Sequence, residues 1–337
     1  THGRSGKGIV YVVASGNTND IGSDVNYDGY ALSRYTIAVG AVGKLGRHSY
    51  YSTAGAALLV SAPGGDYEYV KNHVVAQPGG ECKDVGVGTS YAAPVVSGVV
   101  ALMLEANPEL TWRDVQGVLA TTSSKTDPTD ALWSTNGAGL HHSNKYGFGL
   151  IDAHAAVSAA KTWSGYGAEQ RVTVTSASSA SVPQDGTTLS LSLGVDAASS
   201  SVIIEHVYVY LDLDHSARGD LQVELVSPSG MVSVLIPGPR PESSDPASTR
   251  NTPTCSAEAD PCPAPFKEDG VCDSIVCGCD YTDCGGESMP YDYGPAVWNW
   301  KMATVRHWGE DPVGNWTLRL TDRRPANSHA TAIVNTW

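Results

Sequence analysis

At 337 residues the chain is long enough for two or three domains, and with 41% hydrophobic and 17% charged residues it can bury a core, which excludes wholesale disorder. Its net charge of -14 opposes the phosphates of nucleic acid and favours a cationic ligand or substrate. No run approaches the roughly 18 apolar residues expected of a membrane span, and no signal peptide is recognisable.

The chain opens on "THGRSGKGIVYVVASGN", without an initiator Met and almost directly in an apolar run, so a fragment of a longer protein is expected. "GIVYVVASG" (8–16) is continuously apolar and ends in small residues, as a buried parallel strand does. "YTIAVGAV" (35–42) and "AALLVSAPG" (56–64) repeat the pattern. Helices are predicted over 90–106, over 111–122 with Thr111 as N-cap, and over 152–161 with Asp152 as N-cap. Buried strands mixed with helices predict an α/β domain with a parallel sheet over residues 1–163.

"SGYGAEQ" (164–170) reads as a linker. From Arg171 to the last residue, 337, helical periodicity vanishes. "SVIIEHVYVYLDLDH" and "DLQVELVSPSGMVSVLI" alternate apolar and polar residues around a Pro-Ser-Gly turn, which predicts an all-β sandwich. Residues 240–295 interrupt it with Pro, Ser, Gly and cysteine, and strand-like sequence returns at "GNWTLRLTD" (314–322). The final "AIVNTW" stops where one more strand is expected.

Six of the seven cysteines (Cys255, Cys262, Cys272, Cys277, Cys279 and Cys284) fall within this interruption, while Cys82 stands alone. Such a cluster points to disulfides and an oxidising compartment. Zinc is the rival reading, but the stretch has neither a Cys-x-x-Cys pair nor a histidine.

Ser90 follows a Gly-x-Gly-Thr turn at the mouth of the first predicted helix. A hydroxyl there can be a plain N-cap. It can also be a nucleophile, because the orphan N–H groups and dipole of a helix N-terminus favour developing negative charge. Gly88 lets a substrate backbone come close, and Pro94 is expected early enough that its missing N–H costs nothing. Asn17 ends the "VVASGN" strand, where active-site residues of parallel sheets gather; its amide can donate to an oxyanion, or it can be a turn residue.

"ASGN", "NYDGYALSRYTIAVGA", "GTSYAAPVVSGVVALMLEANPELTWRDVQ" and "GFGLIDAHAAV" together resemble the second half of a kexin/furin-type subtilisin-like serine protease. "VYVYLDLDHSARGDLQVELVSPSG" and "WGEDPVGNWTLRLTD" resemble the P (homo B) domain that follows it, a jelly-roll-like sandwich. The resemblance implies Ser90 as nucleophile and Asn17 as the oxyanion-hole side chain. It places Ser15 and Gly16 among the substrate-binding residues, and Asp28, in "NYDGY", at the base of a pocket for Arg or Lys. The triad Asp and His of that family lie upstream of the Asn-bearing strand, and none of the ten histidines here has the family's His-Gly-Thr-His-like setting. The missing N-terminal half of the catalytic domain is therefore an expected partner, and the chain alone is expected to be inactive.

The family also has a calcium site near this pocket. Counted without gaps, Ser23 stands at one aspartate ligand and Thr53 at a glutamate, leaving Asp24 as the candidate calcium ligand. Cys82 matches a family cysteine whose disulfide partner lies upstream, so a free thiol is expected; Val25 and Gly55 replace the family's nearer cysteine pair. The cysteine-rich stretch is loosely similar to calcium-binding Notch-type repeats, though a metal-free stapled loop is preferred.

Two functions follow. One is a secreted or secretory-pathway serine endopeptidase acting on proteins or peptides with basic residues, with no nucleic-acid partner and no membrane span in this chain. The other is a non-catalytic pseudoprotease or adhesion module displaying a cysteine-rich loop.

Overall fold

The computed structural model describes residues 3–66, 73–176, 179–199, 202–214, 218–239, 296–323 and 332–337. The cysteine-rich stretch, with its six cysteines, lies outside the described residues.

The first part is built on three parallel strands, β1 (Tyr11–Ala14), β2 (Thr36–Val42) and β3 (Val60–Pro63), in spatial order β1-β2-β3. Two further strands, β4 (His73–Ala76) and β5 (Cys82–Gly86), pair antiparallel just before α1 (Thr89–Ala106). Cys82 is exposed and forms no disulfide among the described residues. α2 (Trp112–Thr122) follows, then the short pair β6 (Ser134–Thr135) and β7 (His141–His142), and α3 (Ala153–Thr162).

Local chemistry sets the helix starts. Thr111 and Asp114 form a reciprocal capping box on α2, and the Asp152 carboxylate accepts from the Ala155 N–H at the start of α3. Both caps are the residues predicted. In α1 the buried positions Ala92, Val96, Val99, Val100 and Met103 recur at helical spacing and pack with Ile37, Val39 and Val60 of the sheet.

Two expectations about α1 change. It is an 18-residue helix apolar enough by length and composition to cross a membrane. Its buried stripe belongs to the sheet core, so it serves as a core helix. Pro94 is its sixth residue, past the orphan N–H groups of the first turn, so the Ser90 carbonyl has no N–H donor at i+4.

The remainder forms two four-stranded antiparallel sheets. One has the order β13-β10-β15-β8, from β8 (Ala180–Val182), β10 (Val207–Asp214), β13 (Ala296–Thr304) and β15 (Ala332–Thr336). The other has the order β12-β11-β14-β9, from β9 (Thr188–Val195), β11 (Leu221–Val226), β12 (Val232–Pro237) and β14 (Gly314–Asp322). β15, formed by "AIVNT", lies inside its sheet between β10 and β8. Alternating residues fill the space between the sheets: Leu211 and Leu213 from one, Leu221, Val223, Leu225, Leu318 and Leu320 from the other. The class is thus α/β followed by a β-sandwich, as the sequence indicates.

The two parts share a sealed seam. Buried Asn26 donates to the Leu235 carbonyl (2.9 Å) and accepts from the Ala303 N–H (2.7 Å). Val25, Ala31, Leu32, Ala38, Ala57 and Leu58 pack with Ala303 beside it, and Val305 and Trp308 enter the sheet–helix core. Arg113 grips Glu205 through Nε (2.8 Å) and Nη2. Residues 164–170 carry no regular element but are pinned: the Tyr166 N–H donates to Asp114 (2.7 Å), and the Gly167 carbonyl accepts from Arg113 (2.7 Å).

Candidate active site

Ser90 is exposed in the first turn of α1. Gly88 precedes the helix with φ +140°, which favours glycine, and caps it with no side chain. No acidic residue occupies the first turn, so the positive end of the helix dipole is uncompensated. Among the described residues, neither the Ser90 hydroxyl nor its N–H is hydrogen-bonded.

Asn17, three residues past β1, is exposed at the same turn. Its Oδ1 accepts from both the N–H and the hydroxyl of Thr89, each at 2.8 Å. Two donors on one side fix the amide, so Oδ1 faces Thr89 and Nδ2 remains the free donor. A methyl built on Gly88 would stand 3.6 Å from Asn17 Nδ2 and 3.8 Å from the Ser90 nitrogen. The structure therefore brings two N–H donors, Asn17 Nδ2 and the Ser90 N–H, together around one glycine, and the second of them belongs to the residue that carries the candidate nucleophile.

Sequence reasoning missed two supports. Fully buried Thr89 orients Asn17, and only its place inside "GTS" hinted at it. Buried Tyr51 accepts from the Gly88 N–H (3.0 Å) through its hydroxyl, which donates to the carbonyl of Gly64 or Gly65 (2.7 Å each). It ties the end of β3 to the turn before Ser90, and no local pattern marks it.

Ser15 is buried, its N–H continuing the ladder to Val39 O (2.9 Å) and its hydroxyl without a described partner. Gly16 has φ +110°, and its carbonyl accepts from the Thr53 N–H (2.9 Å). Asp28 is exposed rather than buried, and is joined to Ser90 and Asn17 by no described contact. Its Oδ1 accepts from the N–H groups of Tyr30 (2.8 Å) and Ala31 (2.9 Å) in an Asp-Gly turn, and no described cation pairs with it.

Asp24 is buried as the N-cap of the 3-10 turn Val25–Tyr27, its Oδ1 accepting from the Asn26 N–H (2.9 Å). Thr53 Oγ1 accepts from the Thr18 N–H. No group of three or more His, Cys, Asp or Glu able to hold a metal occurs among the described residues. One capping carboxylate does not fit calcium, which takes six to eight oxygens, and no step is derived through that ion. The positions of the family's nearer cysteine pair do meet: a Cβ on Gly55 would stand 2.8 Å from Val25 Cβ.

Of the histidines with described side chains, His48, His141, His142, His206 and His307 engage Tyr146, Trp133, Leu58, Gln116 and Glu310, and His154 is exposed on α3. None reaches Ser90.

A serine at the N-terminus of the helix covering a parallel sheet, with a strand-end amide turned to the same gap, defines a subtilisin-like peptidase layer carrying a β-sandwich. Residues 2–149 match the Subtilase family, and residues 204–259 and 290–337 match the Proprotein convertase P-domain. Human proprotein convertase subtilisin/kexin type 7 is 40% identical over 255 residues, 72% of this chain and 32% of its own length. Kexin of Saccharomyces cerevisiae is 32% identical over 331 residues, covering 95% of this chain and 34% of its own. The serine protease of Aeromonas sobria shares the fold with a TM-score of 0.69 at 20% identity, covering 98% of this chain and 64% of that one. The chain belongs to the kexin/furin branch of the subtilisin-like serine proteases. It spans about a third of the length of the curated relatives it matches.

Proposed function

We propose that this chain supplies the nucleophile and oxyanion hole of a serine endopeptidase that cleaves after basic residues. The observation that carries the reading is the convergence of the Ser90 N–H and Asn17 Nδ2 on the Gly88 turn, at the exposed serine that opens the helix. In this mechanism Ser90 Oγ attacks the scissile carbonyl carbon while a histidine from the rest of the catalytic domain takes its proton. The carbonyl oxygen becomes an oxyanion facing the Ser90 N–H and Asn17 Nδ2. Collapse expels the amine, which takes the proton back from that histidine, and leaves an acyl-serine, which water then hydrolyses with the same histidine as base. Ser15 and Gly16 border the substrate strand, and the unpaired, exposed Asp28 carboxylate selects Arg or Lys at the cleavage site.

The base comes from the remaining half of the catalytic domain, which docks on the open β1 edge, where Ile9 and Tyr11 are 50% and 53% exposed. On this reading residues 1–163 belong to the peptidase domain, 164–170 link it and 171–337 form the P domain. The acidic balance and clustered cysteines accord with a secreted or secretory-pathway enzyme.

The 337-residue chain alone is expected to hydrolyse no basic peptide measurably, and its fusion to the preceding catalytic half to cleave after Arg or Lys in a Ser90-dependent way. Cleavage by the isolated chain, or a preference for apolar residues that survives Asp28→Ala, contradicts the reading. A fusion inert at every peptide favours the pseudoprotease alternative.

A further inference from the structure

A cleft of about 500 Å³ opens on the seam between the two parts, where residues 134–137 face the β11–β12 turn at Ser229–Val232. None of its lining residues contacts Ser90 or Asn17. Arg306, only 8% exposed, forms one wall. Its Nη1 donates to Ser134 Oγ and the Val232 carbonyl, and its Nη2 to Asn144 Oδ1, all at 3.2 Å. Its Nε–H has no partner.

Every acceptor around this guanidinium is neutral, and no described carboxylate pairs with it. Arg113 is the internal contrast, because its Nε–Nη2 edge grips Glu205 side-on. In Arg306 the same edge holds one amide oxygen, and two of the five N–H donors remain unused. Burial draws its pKa down to about 10, with no opposing pull from an acid. Glu310 does not serve as counter-ion: it is engaged by the Gly137 N–H (2.6 Å), the Ser229 hydroxyl (2.8 Å) and His307 (3.1 Å). Buried cations are ordinarily paired, and an unpaired donor calls for a missing partner.

We propose that the Arg306 cleft is an anion-binding site for a small oxyanion, a carboxylate or phosphate group, held by the guanidinium with the Ser134 hydroxyl at its rim. Binding there tightens the seam, because Arg306 already ties β12, through Val232, to Ser134 and Asn144 of the peptidase part.

The test is thermal unfolding of the whole chain at fixed pH and ionic strength, with acetate, inorganic phosphate or chloride exchanged for one another. A saturable Tm rise of about 2 °C or more with phosphate or acetate over chloride is expected, absent in Arg306→Met. Arg306→Lys, which keeps charge but loses the planar fork, is expected to lose the preference for oxyanions over chloride. Should Arg306→Met not fold, calorimetric titration of the native chain and of Arg306→Lys with phosphate replaces it, and tighter binding by the native chain is expected. A linear, unsaturating rise, an equal rise in the variants, or no binding heat in either protein overturns the proposal.

Discussion

The parallel-sheet layer meets the β-sandwich along one side and is open along another, and the two sides differ in how their groups are satisfied. At the seam, Asn26 uses both ends of its amide on backbone partners, Arg113 is paired side-on with Glu205, and small apolar residues interlock. On the open side Tyr11 is 53% exposed on an edge strand, and Leu102 of α1 is 50% exposed. Ser90 and Asn17 are exposed too, with donors and a hydroxyl that no described residue uses. The seam is therefore where stability is expected to be set, and the exposed groups are where the proposed chemistry lies.

Three perturbations sharpen that contrast. Asn26→Ala has the largest expected effect, because it strands a carbonyl and an N–H buried 2.9 and 2.7 Å from the lost amide. A loss of about 3 kcal/mol is expected in a urea titration. A change below about 0.5 kcal/mol would mean that the seam contributes little.

Acidification acts on the same side. His142 is fully buried, with Nε2 on the Leu58 carbonyl at 3.1 Å. Burial first, then the Arg306 charge, holds its pKa well below the ordinary 6.5. In the unfolded chain this histidine gains a proton below about pH 6.5, while in the fold it stays neutral, so its contribution to stability is lost as pH falls below that value. The expected slope is about 1.4 kcal/mol per pH unit. His142→Gln should flatten the stability profile between pH 6.5 and 4.5 by that amount, and an unchanged profile would contradict the assignment.

Tyr51→Phe is the smallest, at about 1–2 kcal/mol, because it removes one hydroxyl bonded to the Gly88 N–H and the Gly64 and Gly65 carbonyls. It acts on the support of the open side, so the complete protease should lose kcat beyond what stability explains. An unchanged kcat would place Tyr51 outside the site's support.

The features legible in the sequence were the local ones. Thr111 and Asp152 mark helix starts through bonds to residues three positions on, and alternation in "LQVELV" sets one face of β11 inward. Where partners lie far apart in the chain, the pattern carried less. Thr89 meets Asn17 across 72 residues and Tyr51 reaches Gly88 across 37, pairings set by the strand order and by no periodicity. β13 follows the cysteine-rich stretch and lacks clean alternation, so it went unread. Asp28, expected at the base of a pocket, is exposed and caps its own turn through Oδ1, a local bond that an Asp-Gly pair favours.

The most direct test of the central claim is the kcat of the complete protease carrying Asn17→Leu, which keeps the side-chain shape and removes the Nδ2 donor. A fall of about 10²–10³ with KM little changed is expected, the size of loss seen when subtilisin itself loses its oxyanion asparagine. A kcat within twofold of the parent would show that Asn17 and the Ser90 N–H do not hold the same oxyanion.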